Sequence, residues 1–233
     1  MFVSDYYSED PQGIRFSRQQ GSEFAKQIAG DYNPLHNPDE KLFCIPGDLL
    51  FALVLAKYGV SQRMHITFSG MVDDRQRLHF LQQEPGRLAL QDSEGKQYLE
   101  LIHSGTVNHE PQLLERLIRN YVSFSGHTFP DVLIPLMERH DVIINPARPI
   151  VIYQSMELAL DSVDIAAPDL EFDGAQLDVN GKKGEVRLDF NLKLEDQIVG
   201  SGTKYMALRG LRPYDPGIAA GIVQSYMAYK RSI

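Results

Sequence analysis

An unbroken apolar run over residues 49–56 is the most hydrophobic stretch of the chain. Pro46-Gly47-Asp48 precedes the run and Gly59 follows it, so residues that start and stop helices bound it at both ends. A helix that is apolar on every side has to be buried on every side. Its eight residues are too few to cross a bilayer, which takes about 20. We therefore expect a strongly curved sheet to surround this helix.

The segment before this run predicts a second helix. Ser17 is placed to cap it, Phe24 and Ile28 lie on its apolar face, and Gly30 is placed to end it. A short strand is expected just upstream, at Ile14-Arg15-Phe16.

Beyond residue 59 the hydrophobic period becomes two, which is typical of strands. The predicted strands of the first half are 64–68, 78–81, 87–91 and 98–102, with a hairpin turn at 92–96.

The second half repeats this order of helices and strands. Helices are predicted over 113–122 and 130–138, the latter with a kink at Pro135, and 123–127 is predicted as a turn between them. Strands are expected at 150–153, 156–160, 185–194 and 198–208, followed by a helix over 216–231. Turn residues at Asn180-Gly181 and Glu195-Asp196 bound the strand 185–194. Gly200-Ser201-Gly202 is expected to be a bulge or a close-packing position.

These patterns predict an α+β fold made of two similar units. Residues 1–110 and 111–233 each contain an apolar helix followed by about four antiparallel strands, and the second unit adds a terminal helix. We expect two curved antiparallel sheets, each wrapping its own helix. Side by side, the two units would form one continuous sheet.

Charge and composition narrow the range of functions. The net charge of −8 repels phosphate backbones, so we expect no nucleic-acid partner. No signal peptide or membrane span is evident, which predicts a cytoplasmic protein without a membrane partner. The single cysteine, Cys44, allows no internal disulfide, and an inert buried thiol is expected in preference to a nucleophile. No set of residues has the spacing of a metal site.

The candidate chemistry lies between the first two helices, in Gly30-Asp31-Tyr32-Asn33-Pro34-Leu35-His36. A carboxylate, an amide and an imidazole share this rigid, turn-rich segment, which we call the motif loop (residues 30–36). One interpretation is purely structural, with Asp31 and Asn33 capping a turn through backbone amides.

The other interpretation comes from a resemblance. Residues 24–36 resemble the signature of the MaoC-like dehydratases and (R)-specific enoyl-CoA hydratases, in which an aromatic residue precedes a Gly-Asp-x-Asn-Pro-aliphatic-His core. The resemblance implies the hot-dog fold, here a divergent double hot-dog, and the chemistry of enoyl thioesters in fatty acid metabolism.

By this resemblance Asp31 and His36 would be the acid–base pair of a hydro-lyase, and Asn33 would orient one of them or the water. The N–H of Gly47, at the start of the buried helix, could donate to the thioester oxygen. No cofactor is implied, because a coenzyme A thioester would be the substrate. Arg63, Arg75 and Arg77 are candidate ligands of the coenzyme A phosphates, although a solvated strand edge also explains them.

Two positions depart from the resemblance. Leu42 stands where the family has a small residue, and Pro46-Gly47-Asp48 opens the helix where the family has His-Gly. The Asp48 carboxylate would repel a developing enolate unless it points away.

The alternatives to a hydratase are a hot-dog acyl-CoA thioesterase and a non-catalytic protein that binds acyl thioesters. The expected partner in each case is a small-molecule acyl thioester. The two units predict either a monomer or a homodimer.

Overall fold

The computed structural model describes residues 1–147 and 150–232. The first half contains two α-helices and six strands. These elements are α1 (Arg18–Glu23), α2 (Gly47–Tyr58), β1 (Ser8–Asp10), β2 (Gly13–Arg15), β3 (Val60–Phe68), β4 (Leu78–Glu84), β5 (Arg87–Asp92) and β6 (Gln97–Asn108). A π-helical turn over Phe24–Ala29 continues α1, and 3-10 helices cover Phe2–Tyr6 and Pro34–His36.

The second half begins with helices and ends with one. Its elements are α3 (Pro111–Gly126), α4 (Thr128–Asp131), α5 (Leu133–Arg139), β7 (Val142–Ile143), β8 (Ile150–Leu160), β9 (Asp169–Asn180), β10 (Lys183–Leu194), β11 (Gln197–Arg209), β12 (Arg212–Pro213) and α6 (Pro216–Ser232).

The two halves have matching strand orders and meet edge to edge. Ten strands form one antiparallel sheet in the order β1-β2-β4-β5-β6-β3-β8-β11-β10-β9. In each half the first strand of the large sheet after the helices, β3 or β8, lies beside the fourth. These two strands, β3 and β8, pair with each other. The α+β double hot-dog prediction is confirmed, and the two expected sheets are joined into one.

Helix α2 has a defined start and a defined end in the sequence. Pro46 precedes the first turn, and Gly59 ends the helix with a φ of 77°. The predicted 49–56 run lies inside it, and each residue from Leu49 to Leu55 is at most 2% exposed. Burial on all sides is therefore confirmed, with the sheet, α3 and the N-terminal segments as the surroundings.

Helix α3 is amphipathic and extends beyond the predicted 113–122 at both ends, to Pro111 and Gly126. Its buried face follows the i, i+3, i+4 spacing and consists of Leu113, Leu114, Leu117, Ile118, Tyr121 and Val122. The prediction of a turn over 123–127 was wrong, because Ser125 and Gly126 are buried in the last turn of this helix. Packing against the first unit outweighs the low helix propensity of serine and glycine there.

The predicted kink at Pro135 was also wrong. The helical path breaks earlier, at Phe129, whose φ of −110° and ψ of 129° are not helical. Pro135 instead lies in the first turn of α5, where its missing N–H would have had no intrahelical acceptor.

Every predicted strand is present, with 150–153 and 156–160 joined in β8, but β1, β7, β9 and β12 were not predicted. Strand β10 alternates buried and exposed positions, and hairpins at both of its ends are confirmed. Strand β9 was missed, because it is the outermost strand and is mostly exposed on both faces. Gly202 is a close-packing position, since an added Cβ would lie 2.2 Å from the Phe190 ring. No helix among the described residues is long and apolar enough to span a membrane.

Candidate active site

The motif loop is built from capped turns, as its asparagine and proline content predicts. Gly30 ends the preceding π-helix in the left-handed region, with a φ of 68°. The Asn33 N–H donates to Asp31 Oδ1 at 2.8 Å, and the Leu35 N–H donates to Asn33 Oδ1 at 3.1 Å. Both side chains therefore cap turns, and the second carboxylate oxygen of Asp31 remains available.

That second oxygen faces the imidazole of His36. Asp31 Oδ2 lies 3.5 Å from His36 Nε2, and the histidine side chain is 9% exposed. The other ring nitrogen, Nδ1, lies 2.8 Å from the Cys44 carbonyl oxygen. Because a carbonyl only accepts, Nδ1 carries a hydrogen and Nε2 is the atom that can gain or lose a proton.

Burial and mutual contact set the charge of this pair. Burial disfavours both charges, but the His36 hydrogen bond and charge, with help from the Asn33 amide, lower the pKa of Asp31 overall. For His36, burial by itself would lower the pKa, because it disfavours the charged ring. The hydrogen bond and charge of Asp31 outweigh burial and raise the pKa of His36 well above 6.5. The resting pair is therefore a carboxylate and an imidazolium.

Two further residues suggested by the resemblance, Asn33 and Gly47, lie in the motif loop and at the N-terminus of α2. Asn33 is in the loop, but its side-chain oxygen is used by the turn. Gly47 is the first residue of α2, and among residues 1–147 and 150–232 its N–H has no hydrogen-bond partner. An added Cβ on Gly47 would lie 2.7 Å from the Tyr153 ring, so only glycine allows this ring to pack on the helix start.

The three arginines are not brought together. Arg63 donates to the Leu160 carbonyl oxygen at 2.8 Å, at the junction of β3 and β8. Arg77 is paired with Asp10 at 2.9 Å. Arg75 is paired with Asp73 in an exposed loop. Their role in coenzyme A binding stays a prediction.

The sequence did not predict Ser125 and Lys204, two residues of a buried polar cluster at the N-terminus of α2. The polar cluster consists of Asp48, Ser125 and Lys204, each about 5% exposed. Ser125 Oγ donates to Asp48 Oδ2 at 2.6 Å, and Lys204 Nζ donates to Ser125 Oγ. The available signal was Lys204 itself, a lysine at a buried position of β11.

The space between α2, α3 and the sheet is filled by aromatic side chains. Phe51 and Tyr121 lie with their ring centroids 4.5 Å apart, and Phe68 and Tyr153 4.3 Å apart. The hydroxyl groups of Tyr121 and Tyr153 contact each other. Burial raises the pKa of both tyrosines well above 10, so both stay neutral.

An open cleft lies beside the motif loop. It has a volume of about 470 Å³ and runs between α3 and β9, with Phe124, His127 and Phe172 among its lining residues. His127 also touches the motif loop, since an added Cβ on Gly30 would lie 2.7 Å from its ring. His127 therefore links the cleft to the backbone next to Asp31.

Helix α6 covers the outer side of the motif loop. Tyr32 packs edge-on against Tyr226 and Tyr229, with ring centroids 5.9 and 6.4 Å apart. The Tyr229 hydroxyl contacts the Asn37 side chain. Burial, followed by the charge of Asp31, raises the pKa of Tyr226 to about 12.

Comparison with known sequences gives a family without an assigned activity. A family model described as "Protein of unknown function (DUF3581)" matches residues 1–217. No curated protein matches the sequence.

Comparison with solved structures gives similarities at low identity. The tesB protein MAP1729c of Mycobacterium avium subs paratuberculosis is 11% identical, with a TM-score of 0.45 over 72% of this chain and 89% of its own. A MaoC-like dehydratase is 10% identical, with a TM-score of 0.45 over 88% and 97%. The acyl-CoA thioesterase II TesB2 from Mycobacterium marinum is 10% identical, with a TM-score of 0.41 over 93% and 100%. Scores this low carry no argument about activity, and the hot-dog assignment follows from the strand order of the chain itself.

Proposed function

The chain belongs to the DUF3581 family, and we propose that it is a hydratase that adds water across the double bond of a 2-enoyl thioester. The observation that carries this proposal is the contact of Asp31 Oδ2 with His36 Nε2 at 3.5 Å inside the motif loop. A carboxylate and an imidazolium that face each other can remove one proton and deliver another on the same side of a double bond.

The proposed step uses both partners of the pair. Asp31 takes a proton from a water molecule while the water oxygen bonds to the β-carbon. The π electrons of the double bond move towards the thioester carbonyl, and His36 delivers its Nε2 proton to the α-carbon. Transfer of the proton from Asp31 to His36 then restores the resting charges, because the two atoms lie 3.5 Å apart.

The thioester would approach along the cleft between α3 and β9. Phe124 and Phe172 give this cleft an apolar wall, and an acyl or pantetheine chain gains free energy by covering such surface. The cleft borders His127, which packs on Gly30 next to Asp31.

The direct test is a hydration assay with 2-enoyl-CoA of short, medium and long chain length. The reaction is measured as the decrease in enoyl absorbance. Asp31→Asn keeps the shape of the side chain, and His36→Gln replaces the imidazole by a neutral polar group that does not titrate. Each is expected to lower kcat by at least about 100-fold, the usual contribution of a general acid or base. Asp39→Asn and His140→Gln are the matched controls, since both residues are exposed. Their rates should equal that of the unaltered protein.

Two results would contradict the proposal. One is that the unaltered protein hydrates no enoyl-CoA of any chain length. The other is hydration that persists undiminished in Asp31→Asn and His36→Gln.

A second candidate function is acyl-thioester hydrolysis, and Asp48 is the residue that favours it. Its Oδ1 is buried and has no hydrogen-bond partner among the described residues. Burial raises the pKa of this carboxyl, which makes its carboxylate a better base for a water aimed at the carbonyl carbon. Release of free thiol from a saturated acyl-CoA would identify hydrolysis, whereas hydration releases none.

A further inference from the structure

The polar cluster joins three elements from both units at one buried point. Asp48 is in the first turn of α2, Ser125 is in the last turn of α3, and Lys204 is in the middle of β11. The serine hydroxyl lies between the other two, with Asp48 Oδ2 at 2.6 Å on one side and Lys204 Nζ on the other. Two hydrogen bonds thus link the Lys204 ammonium group of the second unit to the Asp48 carboxylate at the N-terminus of α2 in the first unit.

The cluster adjoins both parts of the proposed active site. Gly126, the neighbour of Ser125, lies so close to the motif loop that an added Cβ would come 3.1 Å from the Asp31 nitrogen. On the other side, Lys204 Nζ lies 4.2 Å from the centre of the Tyr153 ring, the ring that packs on Gly47. Lys204 is therefore linked through Ser125 to the helix end that packs on the motif loop, and through the Tyr153 ring to the N-terminus of α2.

The hydrogen bonding of the cluster is incomplete for a purely structural ion pair. Buried charges are costly unless all their donors and acceptors are used. Within the described residues, Asp48 Oδ1 has no partner. In the same part of the chain, Ser125 is the one hydrogen-bond acceptor recorded for Lys204 Nζ, which can donate three hydrogen bonds.

We propose that Lys204, held by Ser125 and Asp48, forms with the Gly47 N–H a binding site for the carbonyl oxygen of an acyl thioester. The inference rests on the proposed function and adds a second-unit residue to its active site. Lys204 would hold the positive charge that stabilises the oxygen of the enolate as water adds to the β-carbon.

This arrangement also accounts for the carboxylate at the helix start. Asp48 alone would repel an enolate oxygen near the Gly47 N–H. Lys204 offsets that charge through Ser125. In residues 1–147 and 150–232 Ser125 is its single hydrogen-bond acceptor, which leaves N–H groups that can donate to the oxygen. Its charge also acts on both neighbouring acids. Burial by itself would raise the pKa of Asp31 and of Asp48, and Lys204 opposes this; the net pKa is lowered for Asp31 and raised for Asp48.

The experiment has to separate an oxyanion role from simple neutralisation of Asp48. Lys204→Met removes the charge but leaves Asp48 buried without its counterion, so loss of stability is expected together with loss of activity. The double variant Asp48→Asn/Lys204→Met removes both charges and should unfold at nearly the temperature of the unaltered protein. Lys182→Met is the control, since Lys182 is exposed in a hairpin turn.

We expect the double variant to be stable and to hydrate enoyl-CoA at least about 100-fold more slowly than the unaltered protein, the usual effect of losing one oxyanion donor. A conjugated aryl-enoyl-CoA supplies a second readout, because polarisation of its carbonyl shifts its absorbance to longer wavelength. The shift should be present with the unaltered protein and Lys182→Met, and absent with the double variant.

Full activity and an unchanged absorbance shift in the stable double variant would overturn the role of Lys204 while leaving the hydratase proposal intact. If the double variant does not fold, the single variant Lys204→Gln is compared with the unaltered protein by the same absorbance shift. A shift that is retained in Lys204→Gln again overturns the role of Lys204. An unaltered protein without hydratase activity would overturn both proposals.

Discussion

Gly126 lies directly against the backbone of Ala29, and this contact fixes the position of the motif loop. A Cβ on Gly126 would come within 2.0 Å of the Ala29 carbonyl oxygen, closer than any real Cβ approaches an oxygen. The end of α3 and the residues just before Asp31 can therefore be this close only if position 126 is glycine.

Gly126→Ala should lower both stability and activity. Forcing a methyl group into a packed contact with backbone costs about 1–3 kcal/mol, and a loop displaced by about 1 Å can lose about 100-fold in rate. Urea unfolding and enoyl-CoA hydration measure the two effects.

Gly221→Ala is the control for this substitution. Gly221 lies inside α6 with no atom within 4 Å of an added Cβ, so alanine should leave activity unchanged and stabilise the helix by about 0.5–1 kcal/mol. Equal behaviour of the two alanine variants would contradict the tight contact at Gly126.

The stability contributed by the Asp31–His36 pair should depend on pH in a defined direction. The folded-state pKa of His36 is raised above 6.5, so its contribution is complete below pH 6.5 and is lost as the pH rises through the folded-state value. The folded-state pKa of Asp31 is lowered below 3.8, so its contribution is present above pH 3.8 and is lost as the pH falls through the folded-state value. The pair should therefore stabilise the fold most between these two limits.

Comparison with His36→Gln tests this pH dependence. The difference in free energy of unfolding between the unaltered protein and the variant should fall as the pH is raised above about 6.5, by up to about 1.4 kcal/mol for each unit by which the pKa is raised. His140→Gln, at an exposed position, is the control for removal of a histidine. A difference that grows with pH would contradict the ion pair.

The sequence predicted the motif loop well because its contacts are local. Asp31 and His36 are five positions apart, and the turns between them use residues of the same segment. Buried α2 was predictable for a similar reason, since its apolar run leaves no exposed face.

The polar cluster could not be predicted from local pattern. Ser125 lies 77 positions from Asp48 and 79 positions from Lys204. Only the pairing of the two units brings these three side chains together, and nothing in the surroundings of Ser125 distinguishes it from a turn serine. Strand β9 was missed for another physical reason, because an exposed edge strand has little hydrophobic alternation.

Cys44 should be dispensable for catalysis. Its carbonyl oxygen accepts the His36 Nδ1 hydrogen at 2.8 Å, whereas its sulfur lies 3.9 Å from the same nitrogen. Since Cys44→Ala keeps the carbonyl, we expect kcat within about twofold of the unaltered protein and a stability loss of about 1 kcal/mol from the small cavity. A rate as low as that of His36→Gln would instead identify the thiol as a reacting group.

Phe172 should control substrate affinity and leave the chemical step unchanged. This residue of β9 is 43% exposed, and its ring lies 6.1 Å from the Phe124 ring in the same apolar wall of the cleft. Phe172→Ala removes apolar surface that an acyl or pantetheine chain would cover, a loss of about 1–2 kcal/mol of binding, so KM should rise about 10-fold with kcat unchanged. Val179→Ala, another exposed position of the same strand, should leave both constants unchanged. A fall in kcat at constant KM would place Phe172 in support of the acid–base pair and not in the path of the substrate.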